Sequence, residues 1–138
     1  MRSILLAVSI LPFLTTGPAS AQEPIVKITD AQPGLEIFQA ASRTKPLAIE
    51  SVDQAREHFS KTALASLQKQ VDFQKQFVLV FAWRGSGQDR LTHSVAESYP
   101  EQIVFDYKPG RTRDLRQHVY VFALRKNVTW SVKKGVPW

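Results

Sequence analysis

The chain has 138 residues, a formal net charge of +6 at pH 7 and no cysteine. The missing cysteine excludes a disulfide scaffold and a lipid anchor on cysteine, and the length predicts one folded unit that can bury a core without a metal. The charge is uneven, because residues 108–138 contain eight basic side chains and one acidic side chain, Asp114, which favours contact with anionic partners.

The first 21 residues have the features of a signal peptide. Arg2 supplies a positive start, residues 4–14 are largely apolar, and Ala19-Ser20-Ala21 has the small residues of a cleavage site. The apolar run is too short to cross a bilayer core of about 30 Å as a helix, so we predict no transmembrane segment. We therefore expect an exported protein, periplasmic or extracellular, with an N-terminal extended segment over 22–45 and an α+β domain over 46–138.

The segment before residue 71 predicts short strands and two helices. We expect strands over 25–30, 35–40 and 47–49, separated by turn signals such as Pro33-Gly34. Ser51 is a candidate N-cap for a first helix, with Gln54 placed to complete a capping box. A second helix is predicted over 62–69, with Ser60 as its cap.

The stretch FVLVFAWRGSG, residues 77–87, is the predicted centre of the fold. Seven consecutive apolar residues indicate a strand buried on both faces, so Val80 and Phe81 should both be inaccessible to solvent. Gly85 and Gly87 end the strand and predict a backbone conformation that other residues avoid.

The chain after residue 87 alternates between polar and apolar residues in short segments. We predict strands over 91–98, 102–107, 117–124 and 128–132, joined by short connections. With the central strand they form an antiparallel meander of about five strands, and two helices cover one face. The fold class predicted is therefore α+β.

A meander places its first and third connections at one end of the sheet. The loops over 84–90 and 108–116 should therefore meet and join a glycine-rich backbone to several cations, an arrangement that binds anions. The alternative is a solvated pair of loops with local bridges from Arg to Asp89 or Asp114. The candidate residues for binding an anion or a partner are Arg84, Gly85, Ser86, Gly87, Arg90, Lys108, Arg111, Arg113 and Arg116.

Catalytic arrangements are weak in this sequence. His93 and His118, with Asp89 or Asp114 as a third ligand, are the candidate ligands of a metal, but a meander would separate the two histidines by about 10 Å. Ser86, His93 and Asp89 contain the residue types of a hydrolase triad without the G-x-S-x-G elbow. We therefore predict no catalytic residue, no metal and no cofactor.

Two runs carry a resemblance to known proteins. VDFQKQFVLVFAWRGSGQDRLTHSV and IVFDYKPGRTRDLRQHVYVFALRK resemble small secreted bacterial proteins of unassigned function, over about residues 46–132. The chain is also similar to the C-terminal domain of accessory proteins of bacterial protease complexes. The resemblance implies a non-catalytic exported domain, and no binding residue is carried over from it.

The function predicted from these features is an exported, non-catalytic binding module whose basic loop end contacts an anionic macromolecule or protein. The tryptophans form no spaced aromatic platform, so no specific nucleic-acid partner is predicted. The alternative is a small hydrolase or metal-dependent enzyme that uses His93, His118 and Asp89. The oligomeric state is left open.

Overall fold

The computed structural model describes residues 23–133, so the predicted signal peptide lies outside the described residues. This part of the chain is a mixed α+β fold with seven strands and three short helices. The strands are β1 (Ile25–Ile28), β2 (Leu47–Ile49), β3 (Gln76–Gly85), β4 (Arg90–Ala96), β5 (Gln102–Lys108), β6 (Arg116–Arg125) and β7 (Thr129–Val132). The helices are α1 (Ile37–Ala40), α2 (Val52–Arg56) and α3 (Lys61–Gln70), and no helix of the described part is long and apolar enough to cross a membrane.

The strands form two sheets, and the predicted five-stranded meander is wrong. One sheet has four strands in the order β1-β6-β3-β2, and the other has three in the order β4-β5-β7. The antiparallel pairing that was expected is present, but β3 pairs with β6 instead of with β4, from Gln76↔Arg125 to Gly85↔Arg116. The β5–β7 pair is parallel.

The polarity of the strand faces explains this order. β3 and β6 carry apolar side chains on both faces, so each gains most when layers cover it on both sides. β4, β5 and β7 alternate, with residues such as Thr92, Asp106 and Ser131 on the side away from the core, so they suit an outer sheet with one wet face. The pattern that separates the two groups of strands is therefore present in the sequence.

Two apolar clusters fill the space on either side of the four-stranded sheet. The first contains Val78, Val80 and Ala82 of β3 together with buried residues of the helical segments, such as Ala55 and Leu67. The second lies between the two sheets and is rich in aromatic rings. Its centre is formed by Phe81, Phe105 and Phe122, with ring centroids 4.8 Å apart for Phe81–Phe105 and 5.4 Å apart for Phe105–Phe122.

The helix caps match the sequence signals closely. Ser51 Oγ accepts from the Gln54 N–H at 3.2 Å, and Ser60 Oγ accepts from the Ala63 N–H at 3.2 Å. The Gln54 side chain reaches back to the Glu50 N–H at 2.7 Å, one residue earlier than a standard capping box would require. Both caps satisfy backbone donors that the first helical turn leaves unpaired.

The strand predicted over 35–40 is wrong, because the chain forms α1 there. The Ile37 N–H donates to the Gly34 carbonyl at 3.1 Å, and the Gln39 N–H donates to the Glu36 carbonyl at 3.0 Å. These local bonds curl the segment and bury Ile37 in the first cluster. The segment over 22–45 also contributes β1 to the edge of the four-stranded sheet, next to β6.

The prediction for the central strand is confirmed. Val80 and Phe81 are both 0 % exposed, although their side chains belong to opposite clusters. Successive residues of a strand point to opposite faces, so both faces of β3 are covered at its middle.

We expect Phe81→Ala to lower the free energy of unfolding by about 3–5 kcal/mol, because the substitution leaves a cavity among aromatic rings. The measurement is equilibrium unfolding in urea. Leu35→Ala is the control, since Leu35 is 71 % exposed and its truncation should change stability by less than about 0.5 kcal/mol. Equal losses in the two variants would show that Phe81 is not a core residue.

Candidate functional site

The loops over 86–89 and 109–115 meet at one end of the molecule, as the sequence predicted. The Gly110 N–H donates to Asp89 Oδ1 at 2.7 Å, and the Gly87 N–H donates to Asp114 Oδ1 at 3.1 Å. The two loops do not meet because of a meander, as was expected. Both loops pass from one sheet to the other, and the pairings of β3 with β6 and of β4 with β5 place both crossings at the same end. We call residues 84–90 and 108–116 the loop end.

Asp89 is the buried anchor of the loop end. It is 5 % exposed and accepts from the Trp83 indole Nε1 at 3.1 Å, in addition to the Gly110 N–H. Burial by itself raises the pKa of Asp89, but the hydrogen bonds from Gly110, Trp83 and Tyr107 and the electrostatic influence of His118 bring it below its ordinary value. Asp89 is therefore an ionised group whose acceptors are used inside the protein.

Tyr107 links this buried group to the surface. Burial raises the pKa of the Tyr107 phenol, and its hydrogen bond to Asp89 raises it further. The Arg43 guanidinium lies 4.7 Å from the centroid of the Tyr107 ring, and its Nη1 is 3.4 Å from the phenol oxygen. Trp83 meets the same ring edge to face at 5.7 Å, so Tyr107 is held from two sides.

The Ser86 hydroxyl is fully used in structural hydrogen bonds. Ser86 Oγ accepts from the Thr112 N–H at 3.1 Å and from the Gln88 N–H at 3.2 Å, and it shares a short hydrogen bond with Thr112 Oγ1. No hydrogen bond of the described residues joins Ser86 Oγ to a histidine. Ser86, His93 and Asp89 are therefore not assembled as a nucleophilic triad.

The two histidines have different surroundings. His118 Nε2 lies 2.7 Å from the Ser86 carbonyl oxygen, and its ring stacks on Trp83 with centroids 4.9 Å apart. His93 belongs to β4, and its ring lies 5.6 Å from that of Phe122. Within residues 23–133 no group of three or more potential metal ligands is found, so the structure does not bring His93, His118 and Asp89 together as a metal site.

The glycines of the loop end are needed for close packing. A Cβ atom at Gly110 would lie 2.5 Å from Gln88 Cβ, and one at Gly85 would lie 2.3 Å from Asp89 Oδ2. The left-handed conformation expected at Gly85 and Gly87 is absent, since no described glycine has a positive φ. A side chain at Gly110 is therefore excluded by the opposite loop, and one at Gly85 is excluded by Asp89 of its own loop.

The predicted cations are all exposed, and two of them have side-chain contacts within the protein. The Arg84 guanidinium lies 4.7 Å from the Phe38 ring centroid, on the side of the helices. Arg116 Nε donates to Asp114 Oδ2 at 3.0 Å. Arg90 and Lys108 stand opposite each other on β4 and β5, and Arg111 and Arg113 are exposed on the second loop. The structure joins the loops, and within them Arg84 packs against Phe38 while Arg116 is bridged to Asp114.

Asp114 is held as an anion by its neighbours. Hydrogen bonds from the Thr112 hydroxyl, the Gly87 N–H and the Arg116 guanidinium lower the pKa of Asp114 well below its ordinary range. Both carboxylates of the loop end are thus committed to partners inside the protein. Beside them lies an open polar cleft of about 440 Å³, lined by Gly87, Gln88, Thr112, Asp114, Arg116, Gln117 and His118.

Several residues that shape this end were not singled out from the sequence. They are Trp83, Tyr107, Gly110 and Thr112, with Arg43 from the N-terminal segment. One signal was available for two of them. Trp83 and Tyr107 lie in apolar strand patterns, and the polar atom of such a buried ring normally needs a hydrogen-bond partner.

Comparisons of the chain with protein-family models, with curated proteins and with solved structures find no match.

We expect Asp89→Ala to destabilise the fold by roughly 1–3 kcal/mol for each buried donor that loses its acceptor. Asp53→Ala is the control, because its bridge to Arg56 is exposed and should contribute no more than about 1 kcal/mol. Urea unfolding at neutral pH provides the comparison. A loss for Asp89→Ala no larger than that of the control would contradict the anchoring role.

The lowered pKa of Asp89 also predicts a pH dependence. The unfolded chain takes up a proton near the ordinary value of 3.8, whereas the folded protein takes it up only at lower pH. Stability from this group is therefore complete above 3.8 and is lost as the pH falls toward the folded pKa. Asp89→Asn should lack this component in urea titrations at falling pH, and an unchanged pH profile would contradict the assignment.

Proposed function

We propose that this protein is an exported, non-enzymatic binding module whose loop end contacts an anionic macromolecule or an acidic protein surface. The observation that carries the proposal is an imbalance of charge at that end. Both acidic side chains there are committed to partners within the protein, while most of the basic ones extend into solvent.

The distribution of salt bridges supports this imbalance of charge at the loop end. Among residues 23–133, Arg116 is the one cation of the loop end with an ion pair, to Asp114. Arg90 and Lys108 stand directly opposite each other, and like charges in that position are destabilising. An anionic partner would relieve this repulsion, so the pair favours binding over a purely structural role.

The chemistry of binding in this proposal is side-chain charge. The Gly87 and Gln88 N–H groups already donate to Asp114 and to Ser86, so they are not offered to an anion as a backbone nest. Arg111 and Arg113 extend from the loop over 108–116, and neither forms a salt bridge within the described residues. Arg84 contributes least, because it lies against Phe38.

The remaining parts of the chain are consistent with an exported domain that presents the loop end to solvent. In the proposal the two longer helices cover one face of the four-stranded sheet and leave the loop end open to solvent. Residues 1–21 would direct export, and the resemblance to small secreted bacterial proteins agrees with a periplasmic or extracellular binding module. The sequence contains no cysteine that would require an oxidising compartment.

Replacement of Arg111 and Arg113 by glutamine should weaken retention on heparin and make retention less dependent on salt, because exposed charges are screened over a Debye length of about 8 Å at physiological ionic strength. The melting temperature should change little, since each exposed loop charge contributes about 0–1 kcal/mol to folding. Salt-gradient elution and a melting curve give the two readings.

The matched control is the double variant Lys61→Gln/Lys69→Gln, which removes the same charge from exposed positions on α3. It should elute close to the wild type. Equal elution of the loop variant, the helix variant and the wild type would contradict the proposal. An equal loss for both variants would show that net charge matters and that the loop end does not.

A further inference from the structure

β4 is an open edge of the three-stranded sheet. Within residues 23–133 its only neighbour is β5, and all of its residues except Leu91 are exposed. The other edge strands are shorter, with four residues in β1, three in β2 and four in β7, whereas β4 has seven. An edge of this length offers a row of backbone groups to another chain.

The usual protections of an edge are missing from β4. Proteins shield exposed edges with proline, bulges or charges along the strand. β4 contains no proline, its register with β5 runs without a bulge from Arg90↔Lys108 to Ala96↔Gln102, and its one charged residue is Arg90 at the start. The six residues from Leu91 to Ala96 therefore form a regular edge without a charged side chain at neutral pH.

The pairing of β5 identifies the backbone groups that face outward. The Thr129 and Lys133 N–H groups donate to the carbonyls of Glu101 at 3.0 Å and Phe105 at 2.8 Å, so the odd-numbered residues of β5 direct their backbone groups toward β7. Successive residues of a strand direct these groups to opposite sides, so the even-numbered residues of β5 bond to β4.

The register then assigns the groups of β4. Thr92 and Ser94 lie opposite Asp106 and Val104, and they form the hydrogen-bonded pairs. Leu91, His93 and Val95 must therefore direct their N–H and C=O groups away from β5, toward the open side. Val95 is 37 % exposed, so it also offers an apolar side chain at this edge.

The charges around the edge are mainly basic at its beginning. Arg90 and Lys108 flank the start of β4. Burial of the His93 side chain lowers its pKa, and the positive charge of nearby Lys27 of β1 lowers it further. The nearest acidic residue on β5, Asp106, is bridged to Lys133 at 4.0 Å, and Glu97 follows the far end of the strand. An acidic segment would therefore be attracted to the start of this edge.

We propose that β4 accepts an extended, acidic segment of a partner protein as an additional strand. The partner's backbone would pair with Leu91, His93 and Val95, and its acidic side chains would lie near Arg90 and Lys108, on the face of the sheet away from the core. The acidity of the segment rests on the proposed function, while the open edge is an independent observation.

Amide hydrogen exchange followed by NMR tests the geometry. In the free protein the Leu91, His93 and Val95 amides should exchange fast, while those of Thr92 and Ser94 are protected. A short synthetic peptide of alternating valine and glutamate is the probe, and it should slow exchange at the three outward amides. A peptide with lysine in place of glutamate should bind at least about tenfold more weakly, since its charges meet Arg90 and Lys108.

Val95→Pro removes one outward N–H without breaking a bond to β5, which an edge strand tolerates. It should weaken binding of the acidic peptide about tenfold, from one lost hydrogen bond and the bulk of the ring. Val95→Thr keeps the N–H and should bind within about twofold of the wild type. Melting curves confirm that both variants fold, and the exchange pattern of the wild type tests the inference without any variant.

Several results would overturn the inference. Protected outward amides in the free monomer would show that another part of this chain covers β4, and protection together with a dimeric mass by light scattering would assign the edge to a second copy. Equal binding of the lysine peptide would show that the partner segment need not be acidic. No binding of the acidic peptide, with normal heparin retention, would refute the edge while leaving the proposed function intact.

Discussion

The pairing of β3 with β6 is the constraint on which the rest of the structure depends. It runs over ten residue pairs, from Gln76↔Arg125 to Gly85↔Arg116, and both strands are apolar on both faces. Such a pair is stable only at the centre of a layered fold, because a bare face would leave a row of large apolar side chains in water. The two clusters on either side of it follow from this requirement.

The same pairing creates the loop end. Because β3 ends where β6 begins, the chain must leave and re-enter the four-stranded sheet at one place, and β4 and β5 lie between these two points in sequence. The crossings approach so closely that a side chain at Gly110 would collide with Gln88, and Asp89 holds them together from within. Backbone N–H groups of the two loops already donate hydrogen bonds within the protein, so the charges that could contact a partner are those of exposed side chains.

The basic loop end and the open edge are continuous, since Arg90 ends the first loop and begins β4. A partner that carries an acidic extended segment would therefore contact both with one stretch of chain. Long-range charge would bring such a partner to the loops, and backbone hydrogen bonds along β4 would hold it in one register. In this proposal the two surfaces would contribute different things to one encounter, so variants on the loop and on the edge would separate them.

Local residue patterns determined much of this protein by themselves. The caps at Ser51 and Ser60, the buried run from Phe77 to Trp83 and most strand positions follow from short-range chemistry that neighbouring residues complete. Tertiary structure decided the strand order, the curl of α1 and the contacts of Asp89, Tyr107 and Trp83, because each depends on residues far apart in the chain. Alternation along a strand shows which face is apolar, but the choice of the neighbouring strand depends on how all the faces are buried together.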